Sequence, residues 1–285
     1  MPICYRDRWV EVPGGALHAV EWGEAGPLVL LTHGITAQAH VWDPIAARLA
    51  ARYRVLSLDQ RGHGDSLRPP SGYALDDYLA DLLAVLDAVG VERVVVAGHS
   101  LGARNAFAFA ARHPARTALL IAIDYGPWIA AEAFTALDAR VLGAPSQFAT
   151  AAEARAYLAG RYPRITPDAL ERRLWFGLRP VPNGLVWRYE PAAIARTLEH
   201  LNADLGPLVP RVQAPALIIR GEQSTFYDAA AFARLREARP DFEYEEVAGA
   251  THYVPEEHPE TVYQLMAAFL ERHAAALPGG SVAGR

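Results

Sequence analysis

"VVVAGHSLGARNAF", residues Val94–Phe107, carries an apolar strand into a serine flanked by glycines and on into an alanine-rich helix. Its centre, Gly98-His99-Ser100-Leu101-Gly102, has the spacing G-x-S-x-G. In that pattern a sharp strand-to-helix turn lifts the serine oxygen above the carboxyl edge of a sheet. The turn strains the backbone at the serine, so the residues two places on either side must lack bulk, and Gly98 and Gly102 meet that need. The following helix aims free N–H groups and the positive end of its dipole at the serine. The pentapeptide alone is a moderate signal. Its setting, after a valine-rich strand and before a helix, makes Ser100 a candidate nucleophile.

A nucleophile that attacks a carbonyl needs donors for the negative charge that develops on oxygen. The Leu101 N–H is one, by the geometry of the elbow. The second is expected in the loop after the strand that ends at Thr32, where His33–Thr36 reads "HGIT". The Ile35 N–H is the natural donor there. Gly34 lets the backbone approach, and His33 reads as a structural hydrogen-bonder.

Outward from the elbow the chain alternates strand and helix. Val10–Trp22 reads as a hairpin about Pro13-Gly14-Gly15. "PLVLLTHG" (Pro27–Gly34), "YRVLSLD" (Tyr53–Asp59), Arg93–Ala97 and "TALLIAID" (Thr117–Asp124) read as strands buried on both faces. Between them Val41–Arg52, Leu75–Val89 and Leu101–Arg112 have helical spacing. The alternation breaks at Gly126–Gly206, where helical fragments are interrupted by Pro145, Pro163, Pro167, Pro180, Pro182 and Pro191. It resumes with "APALIIRG" (Ala214–Gly221), a helix near Asp228–Ala238, "FEYEEV" (Phe242–Val247) and a last helix from Pro259 to His273. The expected architecture is an α/β fold: a mostly parallel eight-stranded sheet flanked by helices. Residues 1–125 and 207–275 form the core, 126–206 an inserted helical lid, and 276–285 a frayed tail.

Bulk properties narrow the function. The chain has 285 residues and a formal net charge of -5, which gives no electrostatic case for nucleic acid. Arginine supplies all 27 basic residues, so a Schiff-base or phosphate-loop lysine is excluded. Cys4 is the single cysteine, which excludes an intrachain disulfide and thiolate metal clusters. No stretch has signal-peptide or bilayer-spanning character, so a cytoplasmic protein with no membrane partner is expected. No cofactor or metal is expected. The partner is a small-molecule substrate, and oligomeric state is left open.

"HGIT", "LDQRGHGDS" (Leu58–Ser66), "GHSLG" and "GATHYVPEEHPE" (Gly249–Glu260) occur in an order and spacing that resemble the α/β-hydrolase superfamily. The resemblance covers about Arg8–His273. It implies a general base at His252, in the loop between the last strand and the last helix. Asp59 and Arg61 fall in what resembles that family's structural turn. Most relatives carry the triad acid just after the strand that here reads "ALIIRG", but this chain continues "EQSTFYD", with Ser224 or Thr225 at that place. Another branch puts the acid one strand earlier, which here is Asp124. Asp124 is the first choice and Glu222 the second.

A closer resemblance, carried by "GHSLGARN", "AIDYGPWI", "ALDARV" and "AYLAGRYP", is to members of that branch that cleave an enamide of a dicarboxylic acid. It implies that Arg140, Arg161 and the adjacent Tyr162 hold substrate carboxylates, a role for which the guanidinium fork is suited. The tryptophans further along the insertion suggest a more apolar pocket. The reading is a cofactor-independent serine hydrolase of small esters or amides. Its rivals are a lactonase, a carbon–carbon bond hydrolase and a non-catalytic ligand-binding homologue. A dehalogenase is disfavoured, because that chemistry needs an aspartate at the elbow.

Overall fold

The computed structural model describes residues 5–278. Cys4 and residues 279–285 of the expected tail lie outside the described residues. Of the tail's described part, Leu277 is buried and belongs to the core, so the frayed segment does not begin at residue 276.

Eight strands form one sheet. They are β1 (Arg6–Val12), β2 (Gly15–Trp22), β3 (Leu28–Thr32), β4 (Arg54–Leu58), β5 (Val94–His99), β6 (Thr117–Ile123), β10 (Ala216–Gly221) and β11 (Glu243–Val247). Their order is β1-β2-β4-β3-β5-β6-β10-β11. The first two pairings are antiparallel and the rest parallel. Alternate residues of the central strands face opposite layers. Leu30, Val96, Leu120 and Ile218 pack against α2 (Leu75–Ala88), α3 (Leu101–Arg112) and α8 (Ala229–Ala238). Leu31, Val95, Ile121 and Ile219 pack against α1 (Asp43–Leu49) and α10 (Pro259–Arg272). Two buried faces explain why these strands read as unbroken apolar runs.

The chain leaves β3 to one side, forms β4, and returns to β5 on the other side. Loops at the carboxyl ends of β3 and β5 therefore diverge, and such a reversal opens a crevice in a parallel sheet. The elbow stands there. Ser100 has φ 54° and ψ -117°, a strained conformation for a residue with a side chain. Neither flanking glycine is required for a positive φ; both are required by close approach. A Cβ on Gly98 would lie 2.3 Å from the carbonyl carbon of Gly102, and one on Gly102 would lie 2.2 Å from the carbonyl oxygen of Thr32. The single proton of the Thr32 hydroxyl is shared between the carbonyls of Ala97 and Gly102, each 3.1 Å away, and ties β3 to the elbow.

Between β6 and β10 the chain forms α4 (Ala131–Leu142), β7 (Gln147–Phe148), α5 (Ala151–Arg161), α6 (Pro167–Gly177), β8 (Leu178–Val181), β9 (Gly184–Trp187) and α7 (Pro191–Glu199). The segment expected as a helical insertion also carries strands. β7, β9 and β8 make an antiparallel three-stranded sheet, in that order. These strands have two to four residues each, too short to show a period of two. Thr150 and Thr166 cap α5 and α6 by accepting the Glu153 and Ala169 N–H groups. Phe148, Leu158, Tyr162, Leu174 and Leu178 form a small core beneath them. A buried ion pair joins α6 to the rest of the molecule: Arg173 donates twice to Glu256, at 2.7 and 2.5 Å, from the short helix α9 (Val254–Glu257).

Candidate active site

Ser100, His252 and Asp124 meet at the carboxyl edge of the sheet, each delivered by a different connection. Ser100 comes from the β5–α3 elbow, Asp124 from the end of β6, and His252 from the loop between β11 and α9. The Ser100 Oγ lies 3.0 Å from His252 Nε2, and His252 Nδ1 lies 2.6 Å from Asp124 Oδ2. Asp124 is fully buried and has φ 51°. An ionised carboxylate only accepts, so the short contact fixes the His252 proton on Nδ1 and leaves Nε2 as the acceptor toward Ser100. Glu222, the second candidate for the acid, does not take part. Its Oε2 accepts the Gly249 N–H at 2.6 Å, and it makes no hydrogen bond to His252.

Gly34 brings the "HGIT" loop against the elbow, with its Cα face toward His99 and Ser100; a Cβ there would stand 3.1 Å from His99 Nδ1 and 3.3 Å from the Ser100 Cβ. The N–H groups of Ile35 and Leu101 are spent on no partner among the described residues.

The loop carrying Ile35 is held by a buried polar network of which sequence reading found only His33, as the structural hydrogen-bonder expected. His33 Nδ1 donates to the Gly34 carbonyl at 2.8 Å, while its Nε2 accepts the Gln60 N–H at 3.1 Å. The Gln60 side chain donates to the His33 carbonyl at 2.7 Å and accepts from Asn105 Nδ2 at 2.7 Å. His63 Nδ1 donates to the Arg61 carbonyl at 3.0 Å, and its Nε2 accepts the N–H of Thr36, whose φ is 62°. His63 and His33 thus each need one bare ring nitrogen. Burial, followed by the charge of His33, pushes His63 down to about 3, and burial lowers His33 as well. His99, read as a packing residue, also holds the His252 loop down, because its Nε2 donates to the His252 carbonyl at 2.6 Å. Asp59 and Arg61 are structural, as expected. Asp59 accepts from His18 and the Ala39 N–H, and Arg61 forms a bidentate pair with Asp81.

A tight chamber in front of Ser100 is lined by Ile35, His99, Leu137, Val141, Tyr162, Tyr253 and three arginines, Arg140, Arg161 and Arg173. Its free volume is about 20 Å³, enough for one or two waters. An adjoining vestibule of about 320 Å³ shares Leu137, Arg140, His252 and Tyr253 with it and opens between α4 and Phe226. Arg173 is neutralised by Glu256. Arg140 and Arg161 have no carboxylate partner among the described residues. Each donates to the other's main-chain carbonyl at 2.9 Å, and Arg161 also donates to the Tyr162 and Tyr157 hydroxyls. Burial alone pushes the Tyr162 phenol up, but Arg173, Arg161 and Arg140 together bring it below its ordinary value. The chamber therefore carries two uncompensated positive charges. None of the tryptophans of the insertion lines it, so the expectation that they shape the pocket is corrected for this chamber. Trp175 is exposed, and Trp187 donates to the Pro145 carbonyl. A larger hollow of about 450 Å³ lies beside Trp128 and Arg234; none of Ser100, His252 and Asp124 lines it.

The α/β-hydrolase fold family matches residues 27–259, and the chain belongs to it. It is a hydrolase. Among its relatives is the 2-(acetamidomethylene)succinate hydrolase of Mesorhizobium japonicum, 40% identical over 264 residues, 93% of this chain and 95% of the relative. The crystal structure of E-2-(acetamidomethylene)succinate hydrolase superposes with a TM-score of 0.91 at 39% identity, covering 94% of this chain and all of that one. The closer resemblance seen in the sequence is to this enzyme. The 3-hydroxybutyrate-oligomer hydrolase of Cupriavidus necator is 31% identical over 222 residues, 72% of this chain and 75% of the relative. Among the described residues no helix is long and apolar enough to cross a membrane.

The neutral His63 has a measurable consequence. Its folded value lies below that of the free side chain, so the unfolded chain takes up the proton first. Its stabilising contribution is held above about pH 6.5 and lost as pH falls toward 3. Urea unfolding at pH 7 and pH 5 should show a stability difference that shrinks by about 2 kcal/mol in His63→Gln. An equal difference in the two proteins would contradict the neutral assignment.

Proposed function

We propose that the protein is a serine hydrolase of small carboxylic esters or amides that carry a carboxylate, acting through an acyl-enzyme without a cofactor. The observation that carries the reading is the continuous hydrogen-bonded chain from Ser100 Oγ through the His252 ring to a fully buried Asp124. Ser100 Oγ attacks the carbonyl carbon while His252 Nε2 takes its proton. The carbonyl π-pair moves onto oxygen, and the Ile35 and Leu101 N–H groups receive that charge. Each such donor is worth about 10²–10³ in rate in well-studied hydrolases. His252 returns the proton to the departing alkoxide or amine as the bond breaks. Water then repeats the sequence on the acyl-enzyme and releases the acid. Asp124 keeps the imidazole in the required tautomer and offsets its charge when it is protonated.

The carboxylate preference rests on the two guanidiniums without acidic partners, Arg140 and Arg161, beside Tyr162 in the chamber. Both arginines are half-buried, and a charge partly withdrawn from water is favoured by a counter-charge. With none supplied by the described residues, an anionic substrate group is the natural complement. The relative that is similar along the whole chain is named for a succinate derivative, which agrees with an acidic substrate.

A fluorophosphonate probe should label the wild-type protein and leave Ser100→Ala unlabelled, with p-nitrophenyl acetate turnover lost in the variant. Asp124→Asn should stay folded and lose about 10⁴ in kcat, while Glu222→Gln stays near wild type. Absence of labelling in the wild type would favour a ligand-binding protein on the same fold. Arg140→Ala and Arg161→Ala should raise KM about ten- to a hundredfold for acidic esters. Neutral esters of the same length should be little affected. Equal losses for both substrates would remove the carboxylate preference.

A further inference from the structure

We propose that Ser224 is a positioning residue for this reaction: its hydroxyl, on a turn clamped by Arg220, sets the rotation of the Asp124 carboxylate that holds His252. The proposal rests on the reading of Ser100, His252 and Asp124 given above.

Asp124 reaches no water, so its oxygens have to be satisfied by the protein. Three donors do so. The Gly221 N–H meets Oδ1 at 2.9 Å, and Oδ2 receives both His252 Nδ1 and the Ser224 hydroxyl, each at 2.6 Å. Without Ser224, the carboxylate is held by one backbone N–H on one oxygen and by the imidazole it is meant to orient on the other. A planar group with one fixed point can turn, and the imidazole turns with it. The serine supplies the second fixed point, on the oxygen that faces His252.

The direction of the Ser224 hydroxyl is determined. Its oxygen accepts the Tyr227 N–H at 3.3 Å, so its proton is free for the carboxylate, which has none to give. The turn itself is rigid. Buried Arg220, the penultimate residue of β10, donates to the carbonyls of Tyr227 at 2.7 Å, Glu222 at 3.1 Å and Ser224 at 3.2 Å. Its remaining nitrogen pairs with Glu246. The Gln223 N–H reaches the Ala250 carbonyl at 2.8 Å, which joins the same turn to the loop that delivers His252. One buried cation thus gathers the carbonyls around Ser224, and Ser224 in turn holds the acid.

The test compares Ser224→Ala and Ser224→Thr in the full-length chain. The measurements are p-nitrophenyl acetate kinetics, thermal unfolding, and the proton NMR resonance of His252 Nδ1–H. Ser224→Ala should lose about tenfold in kcat with KM within about twofold, and its Nδ1–H resonance should move. Ser224→Thr, which keeps the hydroxyl, should return kcat to within about threefold of wild type. A wild-type kcat and an unmoved resonance in Ser224→Ala would overturn the proposal. So would a threonine variant as impaired as the alanine one, since the hydroxyl would then not be the active feature. If Ser224→Ala does not fold, Ser224→Cys, a weak donor of similar shape, takes its place against the same two outcomes. If the wild-type protein neither turns over ester nor takes the fluorophosphonate, the hydrolase reading fails separately. The resonance still decides whether Ser224 orients the Asp124–His252 pair.

Discussion

A carboxylate cut off from water has to find its hydrogen bonds within the protein, and the arrangement around Asp124 follows from that constraint. Its three donors come from β10, from the turn after β10 and from the loop after β11. Satisfying the acid therefore draws the last two strands and their connections into one assembly, with His252 among the donors. The distance from His252 to Ser100 is set by how that assembly meets the β5 elbow. The elbow is fixed by a second steric constraint, two glycines pressed against each other and against Thr32.

The loop opposite is governed by a third constraint, the tautomers of two buried histidines. His33 and His63 each use one ring nitrogen as donor and the other as acceptor, and both ends of the "HGIT" segment depend on it. Neutral rings are what burial favours, so burial and hydrogen bonding agree here. The Gln60–Asn105 contact extends the network to α3, the helix that begins at the elbow. The two backbone donors proposed for the oxyanion are thus braced against the same helix.

What the sequence revealed follows from how local each signal is. The sheet was legible because doubly buried strands leave continuous apolar runs, and the elbow because two glycines at fixed spacing have a steric cause. Asp124 could be placed only with the help of a family resemblance, and Glu222 is set aside only by its contact with the Gly249 N–H. The polar supports were not legible. Gln60, His63 and Asn105 are ordinary surface residue types whose burial arises from contacts 27 to 45 positions apart. The three-stranded sheet of the insertion escaped because Pro180 sits within β8 and each strand is shorter than a recognisable pattern. The tryptophans misled because composition does not say which way a side chain faces. The arginines and Tyr162 do line the chamber, although motif likeness alone suggested them.

The Arg173–Glu256 pair makes the two flanks of the insertion unequal. Separating α6 from α9 would strand two charges out of water, at a cost of about 3–5 kcal/mol. α4 has a single buried residue, Val141, with Phe134 and Leu137 partly buried and Arg140 bonded to α5. The vestibule of about 320 Å³ already lies on the α4 flank and shares Leu137, Arg140, His252 and Tyr253 with the chamber. For the proposed hydrolysis, incoming substrate, departing alcohol or amine and the final acid would share that doorway, and traffic through it becomes an ordered sequence.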